Sequence, residues 1–437
     1  MAQRWFPNIY EGWIVVGSSA LVVLLIGAVF FYGFGVFFND IIREFGWSVA
    51  ATSLAFSLRS EIGGLAAPFV GVGIDRYGAR RVVIFGVIVA SAGVLGLSYI
   101  QNMWQFYLAM IVIALGSSGA GGQAGLAAIA TWFERRRALA MSLSTLGGGV
   151  SGLLVVAIAR LVEEFGWRIA LRCLVVGMLL VGTAFGAQLR TRPRDHPQPI
   201  DGREYRDATG EAIPVAPMWG VPPRRAIATR AFVFSALAMI ALSFATTAVL
   251  VHQVPYMETR LGVSKSVAAS TVAIYTLFSI IGRLGLGMLG DRVSKRVLIA
   301  CCAILIGAGT LMLARATTYP QAVLAILLIA PGFGGVIPVR PAMMADYFGA
   351  KYFGTLNGIA ALANTTGGAL GPWIIGLIVD MTGRYEAGWY LAAAVGLIAA
   401  PLILMATPPR ALAARYRAEA AGRAAPGTPA ASPLLIE

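Results

Sequence analysis

Long apolar stretches alternate with short polar ones along the chain. Apolar runs fall near 14–38, 48–74, 82–100, 104–132, 138–160 and 169–189, and six more near 231–257, 263–290, 297–315, 320–345, 353–379 and 387–407. Each is close to or above the roughly 20 residues a helix needs to cross a hydrocarbon core. In that solvent only structures that satisfy their own backbone survive, so helices are expected. Between the two sets of six lies 190–230, with eight Arg, five acids and several prolines, which reads as a solvated linker. The expected organisation is a six-helix bundle over 1–189, a linker over 190–230 and a second bundle over 231–407. The stretch 408–437, rich in Ala, Pro and Arg, reads as a mobile tail. The fold class is an all-α membrane protein of twelve transmembrane helices in two pseudo-symmetric bundles.

Composition agrees. Of 437 residues, 58% are hydrophobic and 12% charged, whereas a soluble chain carries about a quarter charged. The 52 glycines suit tightly packed membrane helices. A formal charge of +14 would suggest nucleic acid in a soluble protein. Here its distribution gives another cause. With both termini on one side, 23 of the 34 Lys and Arg fall in segments on that side, 7 on the other and 4 within the apolar runs. The positive-inside rule makes that side the cytoplasm and accounts for the charge without a nucleic-acid partner. Cys173, Cys301 and Cys302 lie in apolar runs without metal-ligand spacing. The N-terminal residues lack a basic start and a small-residue cleavage site, so the first run is expected to remain as a span. An inner-membrane protein that acts as a monomer, with no cofactor and no metal, is expected.

The two halves repeat one another. Gly71, Asp75, Arg76 and Arg80 follow the second run, and Gly287, Asp291, Arg292 and Arg296 follow the eighth, every pair offset by 216 residues. The same offset links Gly152 to Gly368 and Arg168 to Arg384. Charged positions recurring at one offset, at one place in the topology, point to a duplicated six-span unit.

The loop Gly71–Arg81 (GVGIDRYGARR) resembles the signature of the major facilitator superfamily between spans 2 and 3, and Gly287–Arg296 resembles its degenerate copy between spans 8 and 9. Gly permits close approach of helix ends, while Asp can pair with Arg or accept from a neighbouring helix N-terminus. Asp75, Arg76, Arg80, Asp291, Arg292 and Arg296 are thus gating candidates, with the bland alternative a basic turn. Several stretches resemble the bacterial monocarboxylate-porter and oxalate–formate-exchanger branch. They are Tyr32–Phe38, Phe45–Ser48, Trp132–Ala138, Gly166–Ala170, His252–Tyr256 and Gly282-Arg283. The resemblance implies the major facilitator fold and a secondary transporter of organic anions. It also implies that Arg283, in span 8, binds the substrate carboxylate. Animal monocarboxylate carriers hold Lys near Tyr32 and Asp one turn before the span-8 Arg; here those places are Tyr32 and Ser279. The oxalate exchanger's span-11 Lys falls about where Asn364 stands, which disfavours oxalate.

The residues themselves support part of this. Arg283 precedes Asp291 by eight positions, ~12 Å along the helix, where a guanidinium costs about 2.5–3.5 kcal/mol on insertion scales. Its fork suits a carboxylate; the alternative is a structural ion pair. Arg59 and Glu61 sit mid-span in run 2, two residues and so about 200° apart, and cannot share one face. Glu61 is either the proton carrier or half of a buried pair. Arg340, among Pro331, Pro338 and Pro341, either binds substrate or is satisfied by carbonyls the prolines free. His252 either titrates beside an acid substrate or packs. Phe31, Tyr32 and Tyr275 are candidates to cover an apolar body, and Gln123 and Asn364 to add polar points to a cavity.

The expected function is proton-coupled monocarboxylate transport by alternating access. The alternatives are carboxylate exchange and export of hydrophobic compounds. An ATP-driven pump lacks its phosphate-binding loop here, and neither His196 nor His252 belongs to a metal or triad pattern, so an enzyme is not expected. Arginines outnumbering mid-span acids favour an anion.

Overall fold

The computed structural model describes residues 10–32, 34–47, 49–151, 154–192, 198–202 and 218–424; within its helices the side chains of some residues, Phe31 and Tyr32 among them, lie outside the described set. Helices stand at all twelve expected places. Helix 1 comprises Glu11–Ile26, a π-helical Gly27–Tyr32 and Phe34–Phe45. Helix 2 is Val49–Tyr77 and helix 3 Ala79–Leu97. Helix 4 breaks at Gly121 into Met103–Ala120 and Gly122–Trp132. Helix 5 comprises Arg137–Val150 and Leu154–Phe165. Helix 6 runs through Trp167–Gly177, a π-helical Met178–Gly182 and Thr183–Gly186. The second half holds helices 7 (Arg230–Leu261), 8 (Lys265–Leu289), 9 (Lys295–Ala314), 10 (Tyr319–Phe348), 11 (Phe353–Thr382) and 12 (Glu386–Met405).

Among the described residues ten helices are long and apolar enough to cross a membrane, and helices 2 and 5 are not among them. Helix 2 is long enough but carries Arg59, Glu61, Asp75 and Arg76. Helix 5 is described in two pieces, Arg137–Val150 and Leu154–Phe165, each shorter than a span. Large apolar side chains such as Phe69, Phe85, Trp104 and Met381 lie exposed on the outside of the bundle, as expected where lipid is the solvent.

The two halves do not meet evenly. One core cluster joins them at the end bearing the Asp-Arg loops, hereafter the basic end. It contains Val83, Trp132, Phe133 and Met141 from the first half and Met344, Phe348 and Phe353 from the second. At the opposite end the first half has its own cluster, including Phe37, Ile41, Phe106 and Met110. The second half has another, including Tyr256, Leu313 and Trp389. Lipid tails are as apolar as Leu, so such helices associate through close van der Waals packing. Gly71 of helix 2 and Gly354 of helix 11 show it: a methyl group on Gly71 would overlap the Gly354 carbonyl.

The linker is tied down at two equivalent loops. The buried Asp201 carboxylate accepts from the N–H groups of Glu134, Arg135 and Arg136, at 3.1, 3.0 and 3.3 Å, before helix 5. Before helix 11 the Trp219 carbonyl accepts from Lys351 N at 3.1 Å, and Val221 N donates to the Phe348 carbonyl at 2.8 Å. Arg135 and Lys351 are themselves 216 apart. The tail differs from the expected mobile segment over Arg410–Ala424, which is helical. The Ala, Arg and Glu that dominate it are strong helix formers, and Arg415 and Glu419 pair at 3.0 Å one turn apart. Tyr416 packs on the shared core, and the Arg417 guanidinium lies 4.4 Å from the Trp219 ring centre.

Candidate functional site

Helices 5 and 11 begin badly on their own. Their N-cap residues, Arg136 and Tyr352, make no side-chain cap, although the first N–H groups of a helix need partners. The opposite half supplies them. Asp75, from helix 2, accepts from Gly354 N at 2.8 Å and Thr355 N at 2.7 Å in the first turn of helix 11. Asp291, just past helix 8, accepts from Ala138 N at 2.8 Å and Leu139 N at 3.0 Å in the first turn of helix 5. Each carboxylate meets the positive end of a helix dipole, worth about 0.3–1 kcal/mol at exposed sites and up to ~2 kcal/mol when partly buried. Donors and acceptors alike map onto each other by the 216-residue offset. Burial pushes the Asp291 carboxyl above the usual aspartate range, against the pull of its two N–H donors and of Lys295.

A further contact exists on one side only. Arg137 of helix 5 pairs with Asp346 of helix 10 and donates to the Phe133 carbonyl at 3.0 Å and the Ala130 carbonyl at 3.2 Å. Lys295 lies 2.7 Å from the other Asp346 oxygen. The positions 216 away are Ala79, Ala130 and Phe353, which carry no charge. The other gating candidates do not join the caps. Arg76, Arg80 and Arg292 are exposed, with the Arg76 guanidinium 5.4 Å from its neighbour Tyr77. Arg296 donates to the Leu404 carbonyl at 3.0 Å.

Deeper in the bundle, Arg283 crosses from one half to the other. Its Nη1 donates to the Thr145 carbonyl of helix 5 at 2.6 Å, and the Ser142 hydroxyl donates to its own carbonyl. A methyl group at Gly148 or Gly149 would stand 3.6 or 3.4 Å from Nη1, so the small-residue face of helix 5 is what admits the guanidinium. Arg283 is buried, about 9 Å from the basic end of helix 8. Arg340 and Gln123 lie at similar depth, about 12 and 14 Å from the same ends of helices 10 and 4. Arg340 Nη1 and Gln123 Oε1 are buried and lack hydrogen-bond partners among the described residues. The carbonyls freed by the helix 10 prolines therefore do not satisfy Nη1. Leaving such a group unmet costs about 1–3 kcal/mol, more for a charged one. Similar depth along their helices is what these three residues share.

The remaining candidates are not brought to these residues. His252 Nε2 lies 2.9 Å from the Pro372 carbonyl, and its ring is 5.8 Å from Tyr385, all within the second half. It stands about 33 Å along helix 7 from the basic end, well beyond the depth of Arg283. Tyr275 is buried against Phe333 of its own half, ring centres 5.3 Å apart. Arg59 and Glu61, both partly exposed, lie about 27 and 24 Å from the basic end of helix 2, in its outer part. Asn364 is exposed on helix 11, and the Tyr32 side chain is outside the described set.

The two halves thus cap each other's helices at one end, beside buried arginine side chains. A model described as the Major Facilitator Superfamily matches residues 20–253 and 233–435. The chain belongs to the major facilitator superfamily. Monocarboxylate transporter 13 of Rattus norvegicus is 26% identical over 404 residues, which cover 91% of this chain and 89% of the relative. Monocarboxylate transporter 3 of Rattus norvegicus is 27% identical over 414 residues, covering 91% and 80%. Among solved structures, the proton:xylose symporter XylE bound to 6-bromo-6-deoxy-D-glucose superposes with a TM-score of 0.70 at 15% identity, covering 93% of this chain and 99% of that one. The human organic anion transporter MFSD10 gives 0.64 at 14%, covering 90% and 98%. At such identities structural likeness speaks for the fold. This superfamily and these relatives are membrane transporters of small molecules, not enzymes.

Sequence reasoning missed Ser142 and Thr145, which meet Arg283, and Arg137 and Asp346, which tie helix 5 to helix 10. The signal for Arg137 was present, since it stands in the Trp132–Ala138 stretch one residue before a position 216 from Gly354. Nothing local marks Thr145, whose contribution is a backbone carbonyl.

Proposed function

We propose that this superfamily member is a secondary active transporter that moves a small monocarboxylate by alternating access, with a proton as co-substrate. The observation that carries the reading is Arg283, a buried guanidinium of one half that donates to the other half at mid-depth. A carboxylate entering this layer loses water, and a bidentate guanidinium replaces those hydrogen bonds. Arg340 Nη1 and Gln123 supply further polar contacts at the same depth. Bound between halves, the anion rewards their rocking as one unit. The basic end is sealed by the reciprocal caps, so entry is from the opposite end and release requires Asp75 and Asp291 to let go. Glu61, on the entry side of the arginine layer, or His252 carries the proton, which makes movement of a monoacid electroneutral.

Support comes from the likeness to monocarboxylate transporters 13 and 3, at 26% and 27% identity, and from the excess of intramembrane arginine. The charge bias supports cytoplasmic termini, and the reading takes the protein as a monomer of the inner membrane. Within the superfamily the motif text lies with the bacterial monocarboxylate porters. Purified protein in liposomes tests the reading. An acid-outside gradient should drive saturable uptake of a labelled monocarboxylate into vesicles empty of substrate. Uptake only when carboxylate is preloaded inside indicates exchange, and no carboxylate uptake in either arrangement refutes the reading.

A further inference from the structure

At the basic end, outside the seal, a cavity of about 450 Å³ opens between the start of helix 9, the end of helix 10 and the turn after helix 12. Its charged lining is Lys295, Arg296 and Arg410 against Asp346, with the hydroxyls of Ser294, Tyr347 and Thr407 around them. Asp346 is already engaged by Arg137 and Lys295, so its acceptors are not spare. Arg296 uses Nη1 on the Leu404 carbonyl, while its Nε is buried and lacks a partner among the described residues. Ser294, the N-cap of helix 9, makes no side-chain cap, so the first N–H groups of a 20-residue helix add their positive end. None of these groups belongs to the Arg283 layer.

We propose that this cavity is a regulatory binding site for a phosphate group, carried either by an anionic lipid headgroup or by a free phosphate. The cavity is wide enough for a phosphate and lined by three cations, two at the start of helix 9 and one at the start of the tail helix, an arrangement that matches several oxygens at once. Its place at the basic face, beside the turn that leaves helix 12, puts it within reach of a headgroup. Occupancy would also act on the seal. A phosphate drawing Lys295 away leaves Asp346 to Arg137 alone and strengthens the contact between halves, favouring the sealed state.

Thermal unfolding of the purified full chain tests this with three probes at matched ionic strength: inorganic phosphate, dioctanoyl phosphatidic acid and sodium chloride. A ligand bound to the folded state raises the unfolding temperature saturably. The expected result is a saturable rise with phosphatidic acid, with phosphate, or with both, and none with chloride. A rise with lipid only assigns the headgroup, and a rise with inorganic phosphate assigns the free anion. Arg410→Gln, at an exposed position that leaves the fold intact, and Arg296→Gln should each weaken the apparent affinity on the order of tenfold. No saturable rise with either phosphate probe, a rise equal to that in chloride, or unchanged affinity in both single variants would overturn the proposal.

Discussion

The basic end and the arginine layer beneath it are built from the same helices but finished differently. At the end, orphan N–H groups of helices 5 and 11 are met by Asp291 and Asp75 from the opposite halves. In the layer, Arg283 reaches a carbonyl, while Arg340 Nη1 and Gln123 Oε1 stay buried and unmet. Polar groups paired with polar groups make a closed contact; polar groups left over make a place for something else. In the proposed reading the first closes one side of the path and the second receives the substrate.

The seal is itself uneven. Both carboxylates contribute two acceptors in equivalent geometry, and glycines fit closely on both flanks, Gly71 against Gly354 and Gly287 against Ser142. The charged contacts are not shared. On the Asp291 side Arg137, Asp346 and Lys295 add charge. One flank is held by caps and shape, and the other adds electrostatics.

The largest effect on this contrast is expected from Asp75→Ala together with Asp291→Ala. Four helix N–H groups would lose their acceptors, at about 1–3 kcal/mol for each buried donor left unmet. Spin labels on the exposed positions 80 and 292, one per half, should report longer distances. Unchanged distances would remove the caps from the account. Arg137→Ala should open the electrostatic flank alone, by roughly 1–2 kcal/mol, with the larger effect at low salt. Tyr352→Ala, one turn-start earlier on the shape flank, should show no salt dependence. Equal salt dependence in the two variants would erase the asymmetry.

A smaller effect follows from pH. The Asp291 carboxyl titrates higher when sealed than when opened to water, so the sealed state binds its proton more tightly. Sealing on this flank should be favoured on the acid side and fade as pH rises through the raised value. Asp291→Asn should flatten that dependence in the same label distances, and a wild-type response in this variant would point elsewhere. The smallest effect lies at the opposite end, within the first half. Glu44 accepts from Arg168 at 2.7 Å and from Trp167 at 2.7 Å, and the Arg168 hydrogen bond holds its carboxyl below the usual glutamate range. The contact is present above the ordinary glutamate pKa and is lost as pH falls through the depressed value. It is mostly exposed, so Glu44→Gln should change unfolding by only about a few tenths of a kcal/mol and leave the basic-end distances unmoved.

Much of this was legible in the sequence. Run 48–74 became Val49–Tyr77, run 320–345 became Tyr319–Phe348 and run 387–407 became Glu386–Met405, because apolar length alone decides where a membrane helix runs. The Asp-Arg repeats marked where the two halves meet, at Asp75 and Asp291, and the apolar surroundings of Arg283 marked its burial. What stayed hidden was partnership. Asp75 finds Gly354 and Thr355 across 279 and 280 residues, and the acceptor for Arg283 is a backbone carbonyl, which no residue type announces. The helical tail was misread because Ala and Arg favour helix as readily as they mark low complexity. The sequence also grouped His252 and Tyr275 with Arg283, whereas both are held by partners within their own half.

The central claim is that the Arg283 layer binds the carboxylate of the substrate. Its most direct test is carboxylate binding and uptake by Arg283→Ala and Arg283→Lys in liposomes, beside a check that the basic-end label distances match the parent. Arg283→Lys keeps the charge but loses the fork, so saturable uptake should fall markedly, and Arg283→Ala should abolish it while the protein stays folded. Uptake by Arg283→Ala at the parent's rate and affinity would contradict the account.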